Sequence, residues 1–405
     1  MARTLWSAFA TAMTAWAVAT SAIAGGVYDE GASDTEIKIG NTNPYSGPAS
    51  AYGIVGKVEE AYFQMINEQG GVNGRKINFI TYDDAYSPPK TVEQTRKLVE
   101  SDGVLAIFSG LGTAPSLAVR KYLNSKQIPQ IFVSSGSAKF GDYRSFPWSM
   151  GHQTNFLTEG RIFADYILSE HPNAKVGILY QNDDVGKELL QGLKDGLSTK
   201  QSMIVAEISY ELAEPTIDSH VVKIRSAGAD VFVNFSLPKA AAQAIRKIAE
   251  MNWKPVQIVS KVSSSVGSVM KPAGLDNAES VISASYAKDF NDSKWKDDPA
   301  MRAYSAFMDK YLPGSDKSNS LAIYGYFISE NLVKVLKQCG DNLTRANLMK
   351  QAASMKDVEL SLLLPGIKVN TSPTDFYPLE QLQLMRLQRG EWKLFGPIMQ
   401  ARAEN

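Results

Sequence analysis

The sequence has few of the residues that build disulfides and metal sites. Cys339 is the single cysteine, so no disulfide can form within one chain. The three histidines, at positions 152, 171 and 220, lack metal-ligand spacing and no cysteine joins them, so no metal site is predicted. Stability must therefore come from the burial of apolar side chains, which a chain of 405 residues can supply.

An excess of either charge is also absent, because 42 basic residues balance 42 acidic ones. Nucleic acids usually select a clear basic excess, and anionic membrane surfaces attract one too, so neither partner is predicted. Beyond residue 24, no stretch approaches the roughly 18 consecutive apolar residues of a membrane-spanning helix. The remainder of the chain is therefore expected to be soluble.

The first 24 residues differ from the rest. Arg3 supplies a positive start, residues 5–18 are mostly apolar, and Ala22-Ile23-Ala24 is typical of a signal-peptidase site. An uncleaved anchor is the alternative, but the apolar stretch is short and interrupted by Ser and Thr. No cysteine lies near the cleavage point, so a lipid anchor is not expected. The predicted product is cleaved after Ala24 and located in the periplasm.

From residue 35 onward, short apolar runs alternate with amphipathic stretches, which predicts repeated βα units and parallel sheets. Two such series follow one another, separated near residue 147. The predicted strands are 37–40, 76–82, 104–108, 130–133, 175–180, 203–208, 230–235, 255–260 and 280–285. Helices are then predicted at 299–311, 320–337 and 344–355, and a hairpin at 381–387 and 392–395.

Two loops rich in small residues follow neighbouring predicted strands. The first, 109–113, contains Gly110 and Gly112 and opens a helix, but Pro115 stands at the third glycine position of a dinucleotide loop. The second, 134–137, is Ser-Ser-Gly-Ser. Hydroxyls, and bare amides at a helix N-terminus, suit a carboxylate. Taken alone, an ordinary tight turn explains the first loop equally well, and solvated serines are the better explanation of the second.

Enzyme motifs are missing. The nucleophile pattern G-x-S-x-G does not occur, and no constellation of a nucleophile with a base or of metal ligands is found in the sequence. Adjacent aspartates at 83–84 and 183–184 each follow a predicted strand, and helix capping is the favoured interpretation. Cys339, at the end of an apolar helical stretch, is expected to be a small partly buried residue rather than a nucleophile.

Several segments together resemble the Leu/Ile/Val-binding family of ABC-transporter solute-binding proteins. The N-terminal part of this resemblance lies in Ile37-Lys38-Ile39-Gly40, Pro44-Tyr45-Ser46-Gly47-Pro48, and Asn67-Glu68-Gln69-Gly70-Gly71-Val72-Asn73-Gly74. Tyr82-Asp83-Asp84 with Pro88, and Gln181-Asn182-Asp183-Asp184 with Gly186, extend it along nearly the whole mature chain.

The resemblance implies the type I periplasmic binding fold, an α/β architecture of two doubly wound parallel-sheet lobes joined by three crossovers. Residues 27–149 and 286–365 would form lobe 1, and residues 150–285 and 366–405 would form lobe 2. The helices after residue 285 would return to lobe 1, and the C-terminal hairpin to lobe 2. The ligand would lie between the lobes.

The same resemblance implies a set of ligand-binding residues on both lobes. By position these are Tyr52, Gly110, Gly112, Thr113, Ser135, Gly136, Ser137, Ala138, Asp184, Phe235 and Lys261. Relatives that bind amino acids carry a Glu for the ligand ammonium where this chain has Lys261. The first-lobe disulfide of the family is replaced by Tyr86 and Ser109.

The predicted function is therefore capture of a small carboxylate-bearing ligand and its delivery to an ABC-transporter permease. The ligand class stays open between a branched-chain or hydrophobic amino acid and an aromatic or other organic acid. Because a cation at Lys261 would repel an ammonium, a ligand ammonium is not expected to be required. The chain is expected to be a monomer without cofactor and not an enzyme; the alternatives are an exported α/β hydrolase-like enzyme and the sensing domain of a receptor.

Overall fold

The computed structural model describes residues 26–400. The signal peptide predicted at 1–24 therefore lies outside the described residues. The first part of the chain alternates strands and helices: β1 (Val27–Tyr28), β2 (Glu36–Asn43), α1 (Ile54–Glu68), β3 (Lys76–Asp83), α2 (Pro88–Glu100), β4 (Ala106–Phe108), α3 (Thr113–Ser125), β5 (Gln130–Val133) and β6 (Ser149–Gly151). Strands β3-β2-β4-β5-β6 form one sheet in that order, and all its neighbours are parallel.

A second βα series follows. It contains α4 (Phe156–Glu170), β7 (Val176–Gln181), α5 (Asp184–Leu197), β8 (Ile204–Tyr210), α6 (Asp218–Ser226), β9 (Val231–Phe235), α7 (Pro238–Glu250), β10 (Val256–Val259), α8 (Lys271–Ala273) and β11 (Ile282–Ser285). Strands β11-β10-β9-β7-β8 are parallel neighbours in the second sheet. We call the body around the first sheet lobe 1 and the body around the second sheet lobe 2.

The C-terminal third of the chain divides between the two bodies. It contains α9 (Pro299–Tyr311), α10 (Ser320–Cys339), β12 (Asn342–Leu343), α11 (Arg345–Ala352), β13 (Gln381–Gln388) and β14 (Glu391–Gln400). Strand β12 pairs with β1 in lobe 1, whereas β13 adds antiparallel to β11 and carries β14 at the edge of the lobe 2 sheet.

Helix α10 packs directly on α1 because small and aromatic residues shape the contact. A Cβ on Gly325 would lie 2.9 Å from the Val55 carbonyl oxygen, so glycine permits the close approach of the two helices. Around this contact, the Tyr326 ring lies edge-on to Tyr62 of α1 at 4.9 Å and to Phe307 of α9 at 5.0 Å. The helices that lack strands of their own thus cover the lobe 1 sheet.

Local sequence explains where the main helices begin. Asp183 caps α5 by accepting from the Val185 and Gly186 amides, and Asp298 caps α9 by accepting from the Met301 amide. Pro299 follows that cap at the first helical position, where its missing N–H costs nothing. The adjacent aspartate pair at 183–184 therefore includes a helix cap, as capping chemistry predicts.

The chain passes between the lobes after β6, after β11 and before β13. Residues 367–379 contact lobe 1: Val369 bridges Val358, and the Thr371 hydroxyl donates to the Ala352 carbonyl at 2.6 Å. We therefore propose crossovers near residues 151, 285 and 380, where the sequence-based boundaries were 149, 285 and 365.

Candidate ligand-binding site

A cavity of about 90 Å³ lies between the lobes, at the carboxyl ends of the parallel strands. Its wall is mostly apolar and includes six aromatic side chains, which are Tyr52, Tyr86, Phe156, Tyr286, Tyr324 and Phe327. The polar side chains in the wall are Thr113, Ser134, Ser135, Gln153, Lys261, Ser264, Ser285 and Ser320. A largely apolar cleft between two lobes, with a set of polar groups in its wall, is typical of a small-molecule site.

The polar part of the lobe 1 wall is built from two strand-end loops. Thr113 opens α3 and Ser135 follows β5, and their hydroxyl oxygens lie 2.6 Å apart. The Ser135 hydroxyl oxygen also accepts from the Ser137 amide at 3.0 Å. Because these groups are neutral and buried, they can hydrogen-bond to a ligand oxygen without adding a charge of their own.

Gly112 is required at the start of α3 for two reasons. Its φ of +102° lies in the region that favours glycine, and a Cβ there would lie 2.4 Å from Cε2 of the Tyr86 ring. Tyr86 itself adopts a φ of +60°, held by its amide donating to the Asp84 carboxylate at 2.9 Å. The ring of Tyr86 thus lies against Gly112 and forms part of the cavity wall.

Tyr52 lies in the short helical turn before α1 and connects the lobes. Its ring lines the cavity, and its hydroxyl donates to the Val262 carbonyl of lobe 2 at 3.1 Å. Burial raises the pKa of the Tyr52 hydroxyl, so this group stays protonated and can donate. Tyr52, which was predicted to cover the ligand, therefore also makes a direct hydrogen bond between the two lobes.

Lys261, immediately after β10, is the charged side chain in the cavity wall. Its side chain is only 5% exposed, and its Nζ lies 3.5 Å from the carboxylate of Glu159, which is fully buried on α4. Nζ also donates to Gln153 Oε1 at 3.0 Å and lies 5.2 Å from the Phe156 ring centre and 5.8 Å from that of Tyr286. Burial lowers the pKa of Lys261, and the Glu159 carboxylate opposes part of that shift.

Six of the predicted site residues lie outside the cavity wall, while Tyr52, Gly112, Thr113, Ser135 and Lys261 lie in it. The six are Gly110, Gly136, Ser137, Ala138, Asp184 and Phe235. Phe235 is fully buried and stacks on Phe163 inside lobe 2, with 6.3 Å between ring centres. The Gly110 carbonyl accepts from the Ser116 hydroxyl at 3.0 Å, so this carbonyl is used within lobe 1.

Ser137, Ala138 and Asp184 instead form contacts between the lobes. The Ser137 hydroxyl and the Ala138 amide donate to the two oxygens of Glu188 at 2.6 and 2.8 Å. Asp184 pairs with Lys139 at 2.8 Å. Gly136, next to these residues, leaves room for the Phe156 ring, which a Cβ would approach to 2.7 Å. Residues 136–138 thus lie outside the cavity wall, whereas Ser134 and Ser135 of the same loop line it.

Sequence reasoning missed most of the aromatic wall. Tyr286 directly follows β11 and could have been found by the rule that ligands bind at the carboxyl ends of parallel strands. Tyr324 and Phe327 lie on α10, which is buried on nearly every side, so no periodic signal marks the face toward the cavity. Gln153 and Phe156 belong to the first crossover, whose course depends on both lobes.

Two other reactive residue types lie in the core. Cys339, at the end of α10, is buried, and burial raises the pKa of its thiol to about 12, which suppresses the reactive thiolate. His152 is fully buried beside Asn331, and burial lowers its pKa to about 3, so it is neutral. Within residues 26–400, no group of three or more His, Cys, Asp or Glu is placed to hold a metal ion.

A model of the periplasmic binding protein family matches residues 36–391. The chain belongs to this family of solute-binding proteins, whose members are periplasmic. Among curated relatives, it is 23% identical over 340 residues to Leu/Ile/Val-binding protein homolog 7 of Brucella abortus, covering 80% of this chain and 82% of that protein. The resemblance to the Leu/Ile/Val-binding proteins inferred from the sequence is thereby confirmed.

Solved structures confirm the predicted type I periplasmic binding fold. A branched-chain amino acid ABC transporter protein from Thermus thermophilus with bound valine is similar with a TM-score of 0.81 at 15% identity, covering 90% of this chain and 97% of that one. A fatty acid ABC transporter substrate-binding protein from Thermomonospora curvata gives a TM-score of 0.78 at 20% identity, covering 93% and 95%. Between residues 26 and 400, no helix combines the length and apolarity needed to cross a membrane.

Proposed function

We propose that this chain captures a small hydrophobic carboxylate between its lobes and delivers it to the permease of an ABC transporter. Of the two similar structures named above, the Thermus thermophilus protein holds valine. The Thermomonospora curvata protein is the substrate-binding protein of a fatty acid ABC transporter. Valine and a fatty acid each combine an apolar body with one carboxylate. We infer that the ligand of this chain has the same two parts.

The composition of the cavity wall carries this proposal. Lys261 is its charged side chain, and among the described wall residues there is no Asp or Glu to receive a ligand ammonium. The aromatic and aliphatic remainder suits an apolar body. A buried ammonium without a partner would cost several kcal/mol, enough to abolish useful affinity. We therefore propose that the ligand needs a carboxylate and does not need an α-ammonium.

Lobe closure is the proposed mechanism of delivery. The wall residues come from both lobes and from the crossovers between them, so the cavity exists only when the lobes meet. A ligand that contacts both lobes shifts the population toward this closed form, which a permease can distinguish from the open form. The direct bond from the Tyr52 hydroxyl to Val262 would then form as the ligand is enclosed.

Calorimetry with four ligands tests the charge requirement. The mature protein is titrated with leucine, phenylalanine and the desamino acid of each. We expect at least one desamino acid to bind as tightly as its amino acid or more tightly, since the wall offers an ammonium no carboxylate. Tight binding of leucine with no binding of either desamino acid would contradict the proposal.

A pair of variants at Tyr52 tests the location of the site. Tyr52→Ala removes a wall aromatic and is expected to cost about 2 kcal/mol of binding free energy. Tyr52→Phe keeps the ring and loses only the bond to Val262, so a loss of about 1 kcal/mol is expected. Unchanged affinity in Tyr52→Ala would place the ligand elsewhere.

Two further assays address the rival functions. We expect bound ligand to be recovered chemically unchanged after long incubation, whereas an enzyme would convert it. We also expect the monomeric protein to co-purify with a membrane permease when ligand is present. Co-purification with a signalling receptor instead would favour the sensing interpretation.

A further inference from the structure

Glu159 lies behind the ligand cavity rather than in its wall. Its side chain has no exposed surface, and one of its oxygens accepts from both the Ser260 hydroxyl and the Lys261 amide at 2.7 Å. The other oxygen has no hydrogen bond and faces the Lys261 ammonium at 3.5 Å. Glu159 therefore does not line the cavity itself, and Lys261 lies between its carboxylate and the cavity.

The partners of the Lys261 ammonium leave one direction open. One N–H is donated to Gln153 Oε1 at 3.0 Å, and a second direction is taken by Glu159. The ammonium has three donors, so these two partners leave one donor that a ligand in the cavity lined by Lys261 could use. The rings of Phe156 and Tyr286 flank the same ammonium. The donor is thus held in place before a ligand arrives.

The net charge of the Lys261–Glu159 pair limits the charge that a bound ligand can bring. Lys261 and Glu159 together carry no net charge, and both are buried. A bound monocarboxylate therefore leaves one net negative charge at the site, which a single fixed ammonium between two carboxylates can stabilise. A dicarboxylate would bring a second negative charge, and the described wall offers it only hydroxyls, amides and aromatic rings.

We infer that Glu159 is a specificity-determining residue that positions Lys261 and limits the site to ligands with one carboxylate. This inference rests on the proposed function, since it assumes that the carboxylate meets Lys261. Glu159 lowers the affinity for anions below what Lys261 alone would give, while it stabilises Lys261 in the empty protein. Affinity for anions and stability of the empty protein therefore respond in opposite directions when Glu159 is neutralised.

The test compares Glu159→Gln with the wild type, using a monocarboxylate that binds the wild type, its primary amide and a dicarboxylate of similar length. We expect Glu159→Gln to melt at a lower temperature without ligand and to bind the monocarboxylate about tenfold more tightly. Affinity for the amide should change little, and dicarboxylate binding, absent in the wild type, should become measurable. A purely structural role would weaken acid and amide binding together, and that result would overturn the inference.

A second variant covers the case in which Glu159→Gln does not fold. Replacing the pair by apolar residues in Glu159→Leu with Lys261→Met removes both charges and leaves no unpaired ion. This double variant should bind acid and amide with similar affinity, whereas retention of the wild-type preference for the acid would overturn the inference. Failure of the wild type to bind any carboxylate would instead refute the proposed function.

Discussion

Lysine and carboxylate meet in two different surroundings in this protein. At the cavity, the wall residue Lys261 lies 3.5 Å from Glu159 behind it, and both side chains are almost completely buried. At the rim of the cleft, Lys139–Asp184 and Lys271–Asp316 join the lobes at 2.8 and 2.9 Å, but all four side chains are more than a third exposed. The Coulomb attraction within the two shorter pairs is weaker, because water screens it and the buried pair has no such screening.

The buried pair and the exposed pairs therefore have different expected roles: the buried charges affect specificity, and the exposed charges only come together when the lobes close. A buried charge needs a fixed partner of opposite charge. Removing that partner leaves an unpaired buried charge, which strongly destabilises the protein. An exposed charge exchanges its partner for water at little cost. Between these extremes lies Glu188, a half-buried carboxylate that accepts from Ser137 and Ala138 across the cleft.

The largest effect is expected from Glu159→Ala. It leaves the Lys261 ammonium buried without a carboxylate, and the ligand-free protein should lose about 3–5 kcal/mol of unfolding free energy in a urea titration. The matched control, Glu159→Leu with Lys261→Met, should stay within about 2 kcal/mol of the wild type. Equal stability of Glu159→Ala and the wild type would mean that the pair is not a buried one.

An intermediate effect is expected at Glu188. Glu188→Ala leaves the Ser137 hydroxyl and the Ala138 amide without their acceptor, and ligand affinity should fall by roughly tenfold in calorimetry. Glu188→Gln, which keeps an acceptor, is the matched control and should lose less. An unchanged affinity in Glu188→Ala would show that this contact does not contribute to closure.

Glu188 also gives closure a pH dependence whose sign follows from its pKa. Burial raises the pKa of Glu188 in the closed form, and the hydrogen bonds from Ser137 and Ala138 offset only part of this rise. When the lobes separate, the carboxylate meets water and its pKa falls, so closing takes up protons. Ligand affinity should therefore rise modestly as pH falls from 8 to about 5, and Glu188→Gln should flatten that profile.

The smallest effect is expected at the rim. Lys139→Ala and Lys271→Ala each remove an exposed ion pair between the lobes, and binding free energy should change by about 0.5 kcal/mol or less. Even this difference should vanish in high salt, because the partners are screened. A loss of several kcal/mol of binding free energy in either variant would contradict the proposed difference between the exposed pairs at the rim and the buried pair at the cavity.

Periodicity and turn chemistry predicted much of the fold. The strand at 130–133 and the helix at 299–311 were predicted with the bounds that the structure gives. The C-terminal hairpin followed from Arg389-Gly390, whose φ values of +53° and +77° make a tight turn. Strand β6 was missed, because three residues without apolar alternation carry no strand signal.

The site was harder to predict than the fold. Loops after the parallel strands of one sheet meet at one edge, and that rule placed Thr113 and Ser135 together, whereas Lys261 in the other lobe was inferred from the family resemblance. It does not give the direction of a side chain, so Phe235 was assigned to the cavity although it points into lobe 2. Glu159 was not found at all, since a glutamate in the first turn of a helix is ordinary and nothing in the pattern pairs it with a lysine 102 residues later.

The burial of Cys339 makes this protein convenient for optical measurement. A thiol with a pKa of about 12 reacts slowly with maleimides at neutral pH, so one cysteine introduced at the surface would be labelled selectively. Lys271→Cys would place a dye on lobe 2 next to Asp316 of lobe 1. The fluorescence of such a conjugate would follow lobe closure in real time. The labelled variant would thus report the binding of its own ligand.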